Sequence, residues 1–162
     1  MEFLDVVDDN DNVVKKAPFD EVYKKKLPHR IIHILIFNSK GEMALQLRSA
    51  KKSFAPLHWS TAVGGHVQSG ETYQQAALRE FQEELGTTAE LEFAFNDFYE
   101  NESGLKKFIA TFKADYEGPF KINAEEVEKI EFFSMEKISE MIKAGENFHP
   151  ELAFLLENHF QG

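Results

Sequence analysis

Glu80, Glu83 and Glu84 fall within five consecutive residues of the run Arg79-Glu80-Phe81-Gln82-Glu83-Glu84. On a helix turning about 100° per residue, Glu84 stands about 40° from Glu80, and Glu83 about 60° to its other side. Three carboxylates then share one face, beside an apolar stripe of Tyr73, Ala77, Phe81 and Leu85. Like charges this close repel one another. Two readings fit the helix alone: an acidic face turned to water, or an oxygen-ligand site for a hard divalent cation such as Mg²⁺.

The elements that must position these groups can be read around them. Thr72 to Leu85 has the helical period, and Gly86 is placed to end it. Before it, Trp59 to Val67 reads as one strand running into Gly64-Gly65. Upstream, Phe3 to Val7 and Val13-Val14 flank the turn cluster Asp8 to Asn12 and predict a small hairpin, followed by a short helix over Phe19 to Lys26. His29 to Phe37 is dense in Ile and Leu, and Glu42 to Leu47 alternates; both read as strands, paired through the turn at Asn38 to Gly41. Leu91 to Glu102, Leu105 to Tyr116 and Glu126 to Phe133 are further strands. Ser134 to Lys143, with a capping serine, and Glu151 to Phe160, after Pro150, are closing helices. Strands, one helix, more strands and then helices indicate an α+β or αβα sandwich, not a doubly wound parallel sheet.

Composition narrows the function classes. The 162 residues suit one domain over 1–162, with the hairpin and short helix in 1–28 and the closing helices in 134–162. A hydrophobic fraction of 43%, including 16 Phe, suffices for a core without covalent staples. With no cysteine, disulfides, thiolate zinc sites and cysteine nucleophiles are excluded. The net charge of -10 makes the chain a poor binder of nucleic-acid polymers or anionic membranes. A polyanionic small molecule remains open if divalent metal neutralises the local charge. The short acidic start lacks the pattern of a signal peptide and no apolar run is long enough to cross a bilayer, so a cytoplasmic protein, monomer or homodimer, is expected.

The residues flanking the glutamates decide between the two readings. Gly65 precedes Glu71 by six positions and Glu71 precedes Arg79 by eight, after which come Glu80, apolar Phe81, Gln82, Glu83, Glu84, Leu85 and Gly86. Residues 65–87 resemble the signature box of the Nudix hydrolases. One position departs: the last, usually aliphatic, is Thr87. The resemblance implies a Nudix-like α/β/α sandwich around a central mixed β-sheet. It also implies hydrolysis of a diphosphate linkage in a small molecule, such as a nucleoside diphosphate derivative, with Mg²⁺ or Mn²⁺. By the same resemblance, Glu80, Glu83 and Glu84 hold the metal with the Gly65 carbonyl as a further ligand, and Glu80 can orient or deprotonate water. Glu71 and Arg79 match the pair that ties the loop to the helix, as suits a guanidinium able to grip a carboxylate with two bonds. Some members of the family place the general base outside the box, for which Glu125 and Glu126 are the candidates.

A second resemblance covers most of residues 2–87. Pro28-His29-Arg30, Ile34 to Gly41, Gln46-Leu47-Arg48, Lys51-Lys52, Trp59 and Gly65 to Glu71 are similar to the isopentenyl-diphosphate isomerase branch of the superfamily. Those isomerases use a cysteine beside the glycine-histidine pair, where this chain has Gly64, and a histidine-rich metal site. His29 and His66 match two of its histidines, and a third would fall near Val22. With the hydrolase box intact and the cysteine missing, the chain reads as an isomerase-like Nudix hydrolase. An isomerase and a non-catalytic diphosphate-binding module are the alternatives. His66 could touch a second metal or a substrate phosphate, and Arg48 and Lys52 lie in a loop where cations could meet that phosphate.

Overall fold

In a computed structural model the described residues are 1–160. They separate into two compact units, Met1–Ile34 with Val63–Lys113 and Leu35–Ala62 with the chain from Ala114 onward. The secondary structure is α+β with a mixed central sheet and flanking helices, as expected.

The first unit begins with the hairpin of β1 (Phe3–Val7) and β2 (Val13–Pro18), followed by helix α1 (Phe19–Lys24). These elements carry a small core of their own, Leu4, Val6, Ala17 and Val22, covered by Phe19, Tyr23 and Leu27. The first residues of β3 (His29–Phe37) pair antiparallel with β6 (Val63–His66), setting Ile32 opposite Gly65 and His33 opposite Gly64. Helix α2 (Tyr73–Leu85) follows, and β7 (Glu92–Glu100) and β8 (Lys106–Asp115) form a long antiparallel pair. In the second unit, β4 (Met43–Arg48) is flanked by β5 (Trp59–Thr61) and β9 (Val127–Phe133). Phe37, the end of β3, also meets Met43 there. Helices α3 (Met135–Lys143) and α4 (Pro150–His159) close the chain.

One strand expectation needs correction. Trp59 to Val67 is not a single strand: the chain bends at Ala62. Its first part pairs with β4 and its second with β3, so a break is needed for it to change partners.

Helix α2 forms where the period placed it. Thr72 accepts from the Gln75 N–H while the Gln75 side chain accepts from the Thr72 N–H, a reciprocal cap that satisfies two otherwise orphaned donors. Gly86 ends the helix at φ 71°, a left-handed conformation that costs glycine nothing. Ala76, Ala77, Phe81 and Leu85 are buried, and the helix packs on β6. Tyr73, the first member of the apolar stripe, is only half-buried, its hydroxyl donating to Asp11 at 2.7 Å. The phase of the helix is therefore set chiefly by Phe81, which is 1% exposed. Phe81→Ala should cost about 3–5 kcal/mol, read as a lowered midpoint in urea. A loss below about 1 kcal/mol would mean that the helix is held by something other than this ring.

Candidate active site

Strand β6 delivers Gly64 and Gly65 to the face of α2 that carries the glutamates. The approach is so close that a Cβ on Gly65 would fall on the carboxyl group of Glu80. Glycine is required here for space. Arg79 organises the rest. Its Nε donates to Glu71 Oε2 at 2.7 Å and its Nη2 to Glu71 Oε1 at 2.9 Å, a two-bond grip. Nη2 also donates to the His66 carbonyl at 3.0 Å. Its Nη1 donates to Glu80 Oε1 at 2.8 Å and reaches Glu83 Oε2 at 3.4 Å. Glu71 in turn accepts from the Gln68 N–H at 2.8 Å. The loop from His66 to Glu71 is thus bound to the helix by one guanidinium.

The electrostatics divide the four carboxyl groups. Burial works to raise Glu71, but the hydrogen bonds from Arg79 and Gln68 outweigh it and hold the group below the usual carboxylate range. The hydrogen bonds to Glu71 lead in raising the Arg79 pKa above its ordinary value. Glu80 is pushed up, mainly by burial, against the pull of Arg79. Glu84 is pushed up to about 9, by burial first and then by the negative charge of Glu80 beside it. The Gly64 N–H donates to the Glu84 carboxyl and only partly offsets this. Glu83 points outward, its side chain 57% exposed. The shared face is therefore uneven: Glu80 and Glu84 turn inward toward the glycine strand, and Glu83 stands at the rim.

Among the described residues no group of three or more His, Asp or Glu side chains is already gathered as a metal cage. Arg79 lies between Glu80 and Glu83 and is bonded to both. The donor set nevertheless fits a hard divalent cation. Glu84 Oε2 is buried with no hydrogen-bond partner, and burial together with the charge of Glu80 beside it opposes the ionisation of Glu84. A cation at that point would satisfy the orphaned oxygen and relieve the repulsion, leaving Glu83 to turn inward from a long 3.4 Å contact.

The two histidines come together in the first unit. His29 and His66 stack with centroids 5.6 Å apart, and the Tyr23 hydroxyl lies 2.6 Å from His66 Nε2. Near the place of a third histidine, Val22 is buried in the hairpin core and its neighbour Tyr23 holds His66 instead.

The remaining candidates lie in the second unit. The Arg48 guanidinium donates to the Phe54 carbonyl at 2.8 Å and the Ala55 carbonyl at 3.1 Å, fixing the loop after β4. Lys52 pairs with Glu126, and Lys51 with Glu125 at 3.2 Å. These pairs join the cation loop to the two candidate bases.

Asp5 and Asp11 are contacts that the sequence reading missed. Asp5 accepts from the Ser69 hydroxyl at 2.8 Å and the Gly70 N–H at 3.1 Å, while Asp11 accepts from Tyr73 and, at 2.7 Å, from Arg30. The available signal was a lone charge inside the apolar run Phe3-Leu4-Asp5-Val6-Val7, where Asp5 is 7% exposed.

Comparison with known proteins agrees with this geometry. The family profile described as the NUDIX domain matches residues 27–156. An uncharacterised Nudix hydrolase of Pseudomonas aeruginosa is 35% identical over 135 residues, covering 83% of this chain and 80% of that protein. One of Escherichia coli K12 is 28% identical over 85% of this chain and 77% of its own. Among solved structures, a Deinococcus radiodurans protein superposes with a TM-score of 0.84 at 26% identity, over 99% of this chain and 100% of that one. A MutT protein from Methanosarcina mazei gives 0.62 at 25% identity, over 77% and 86%.

Proposed function

Since the chain belongs to the Nudix hydrolases, enzymes that act on pyrophosphate bonds with the help of divalent metal ions, we propose that it hydrolyses a small nucleoside diphosphate derivative with Mg²⁺. The observation that carries the reading is the buried, partnerless Oε2 of Glu84 beside Glu80 and Gly65. Glu80, Glu83 and Glu84, with the Gly65 carbonyl, would hold the cation, for which Mn²⁺ is a chemically similar substitute. When bound, it would neutralise charge on the diphosphate and ease attack by water.

The protein's own groups supply position. Arg79 and Glu71 fix the loop that presents Gly65, and the Gly64 N–H orients Glu84. Glu80 is the group on hand to orient a water, and Glu125 or Glu126 is an alternative base. Arg48 and Lys52 remain candidate phosphate contacts, and each would first have to give up its present partners. The profile match runs through stretches of both compact units, which supports reading them as one Nudix domain. Among the described residues no helix is long and apolar enough to cross a membrane.

Isomerase chemistry has less to work with. Gly64 offers no side chain for proton transfer, and a Cβ there would stand 3.1 Å from His33 Nδ1, a tight fit for anything larger. A panel of nucleoside diphosphate derivatives and isopentenyl diphosphate, with and without Mg²⁺, tests the proposal. The expected result is metal-dependent hydrolysis of at least one nucleotide and no isomerisation. Isomerisation, or turnover indifferent to chelator, would overturn it.

A further inference from the structure

Residues 1–26 precede the matched family profile, which begins at 27, yet they grip the box from strand β1, from the hairpin turn and from α1. Strand β1 lies along the loop: Leu4 bridges Gln68, and the Phe3 carbonyl accepts from the Ser69 N–H at 2.8 Å. Asp5 then accepts from the Ser69 hydroxyl and the Gly70 N–H, one bond to each carboxylate oxygen. Asp11, in the hairpin turn, accepts from Tyr73 at the first turn of α2. Tyr23 of α1 bonds His66, immediately after Gly65. The loop is thus held from one side by Arg79 and Glu71 and from the other by the hairpin and α1.

Asp5 is the central contact. A buried carboxylate is costly unless its oxygens are satisfied, and these two are satisfied by loop atoms. The dependence runs both ways. The Ser69 and Gly70 amides, which as loop groups would otherwise face water, have their hydrogen bonds supplied by Phe3 and Asp5. Because Gly65 and the loop form one short segment closed by Glu71 and Arg79, freeing its outer side would loosen where the Gly65 carbonyl and Arg79 rest against Glu80.

We propose that Asp5 is a positioning residue for the active site: through Ser69 and Gly70 it sets the box loop in the geometry that presents Gly65 to the metal-binding carboxylates. This rests on the metal-site reading above. It gives the N-terminal hairpin a part in catalysis although none of its residues touches the reacting atoms.

The test uses the full chain, Mn²⁺ as probe and the variants Asp5→Ala, Asp5→Asn and Ser69→Ala. Free Mn²⁺ is followed by electron paramagnetic resonance, and amide exchange is measured by peptide in metal-free protein. Asp5→Ala should weaken Mn²⁺ binding about 10-fold, the low end for loss of an outer contact to a metal site. It should also speed exchange over 66–72 by about 10-fold, leaving 76–85 unchanged. Asp5→Asn should restore both, since its carbonyl can accept from Gly70 and its amide can donate to Ser69 Oγ. A purely stabilising role would lower the melting temperature of Asp5→Ala without moving either readout at low temperature, and would overturn the proposal. So would an Asp5→Asn protein as impaired as Asp5→Ala. If Asp5→Ala does not fold, Ser69→Ala makes the same comparison, and unchanged exchange over 66–72 there counts against it. Should the wild type take up no Mn²⁺, the metal-site reading fails by itself, and exchange over 66–72 still decides whether Asp5 orders the loop.

Discussion

Glu84→Gln should slow turnover at least ~100-fold, comparable to the loss of one strong transition-state interaction, while leaving the protein well folded. The two halves of this expectation have one cause. Burial and the negative charge of Glu80 beside it favour the protonated, neutral form of Glu84 in the metal-free protein. Glutamine reproduces that neutral state with nearly the same shape, so the metal-free fold loses nothing. It cannot supply the negative charge a divalent cation requires. The variant should therefore melt in chelator at or above the wild-type temperature at pH 7.5, yet gain little from Mg²⁺. A variant that is inactive only because it unfolds would show the opposite order of melting temperatures. Glu83→Gln, at the exposed rim, should be milder.

The same pair gives the metal-free protein an unusual pH dependence. Glu84 has an ordinary carboxyl pKa in the unfolded chain and one near 9 in the fold, so the folded state binds the proton more tightly. Its contribution is present in full below the unfolded value and is lost as pH rises toward 9. Glu71 works in the other direction, but being lowered it acts only in acid, below the ordinary carboxyl range. Between pH 6 and 9 the glutamate pair should dominate this site. In chelator, the melting temperature should fall by about 10 °C across that window, the size expected for ~4 kcal/mol in a chain of this length. Saturating Mg²⁺ replaces the proton, raises stability by mass action and should flatten the slope. Glu84→Gln should flatten it without metal. A slope that is the same in wild type and variant would place its origin elsewhere.

What could be read in advance follows from the range of the interactions. Helix α2 was legible because its period, its cap at Thr72 and its stop at Gly86 are local. The Glu71–Arg79 grip was legible only through the resemblance, since eight residues separate the two and no period links them. Asp5, Asp11 and Tyr23 were not legible as contacts of the box. Their partners lie 43 to 65 residues away, and side-chain pairing across that distance leaves no local pattern. The break at Ala62 escaped for a related reason: a chain that changes strand partners stays extended and apolar on both sides. Helix geometry put the three glutamates on one face but could not show that Arg79 would stand between two of them, or that Arg48 would spend its donors on the Phe54 and Ala55 carbonyls.

The measurement closest to the central claim is product release from a nucleoside diphosphate derivative found active in the panel, for wild type and Glu84→Gln side by side, in Mg²⁺ and in chelator. The expected result is rapid release only by the wild type in Mg²⁺, with the variant at least ~100-fold slower and both silent in chelator. Equal rates for the two proteins, or wild-type release that persists in chelator, would contradict a hydrolase built on the carboxylates of α2.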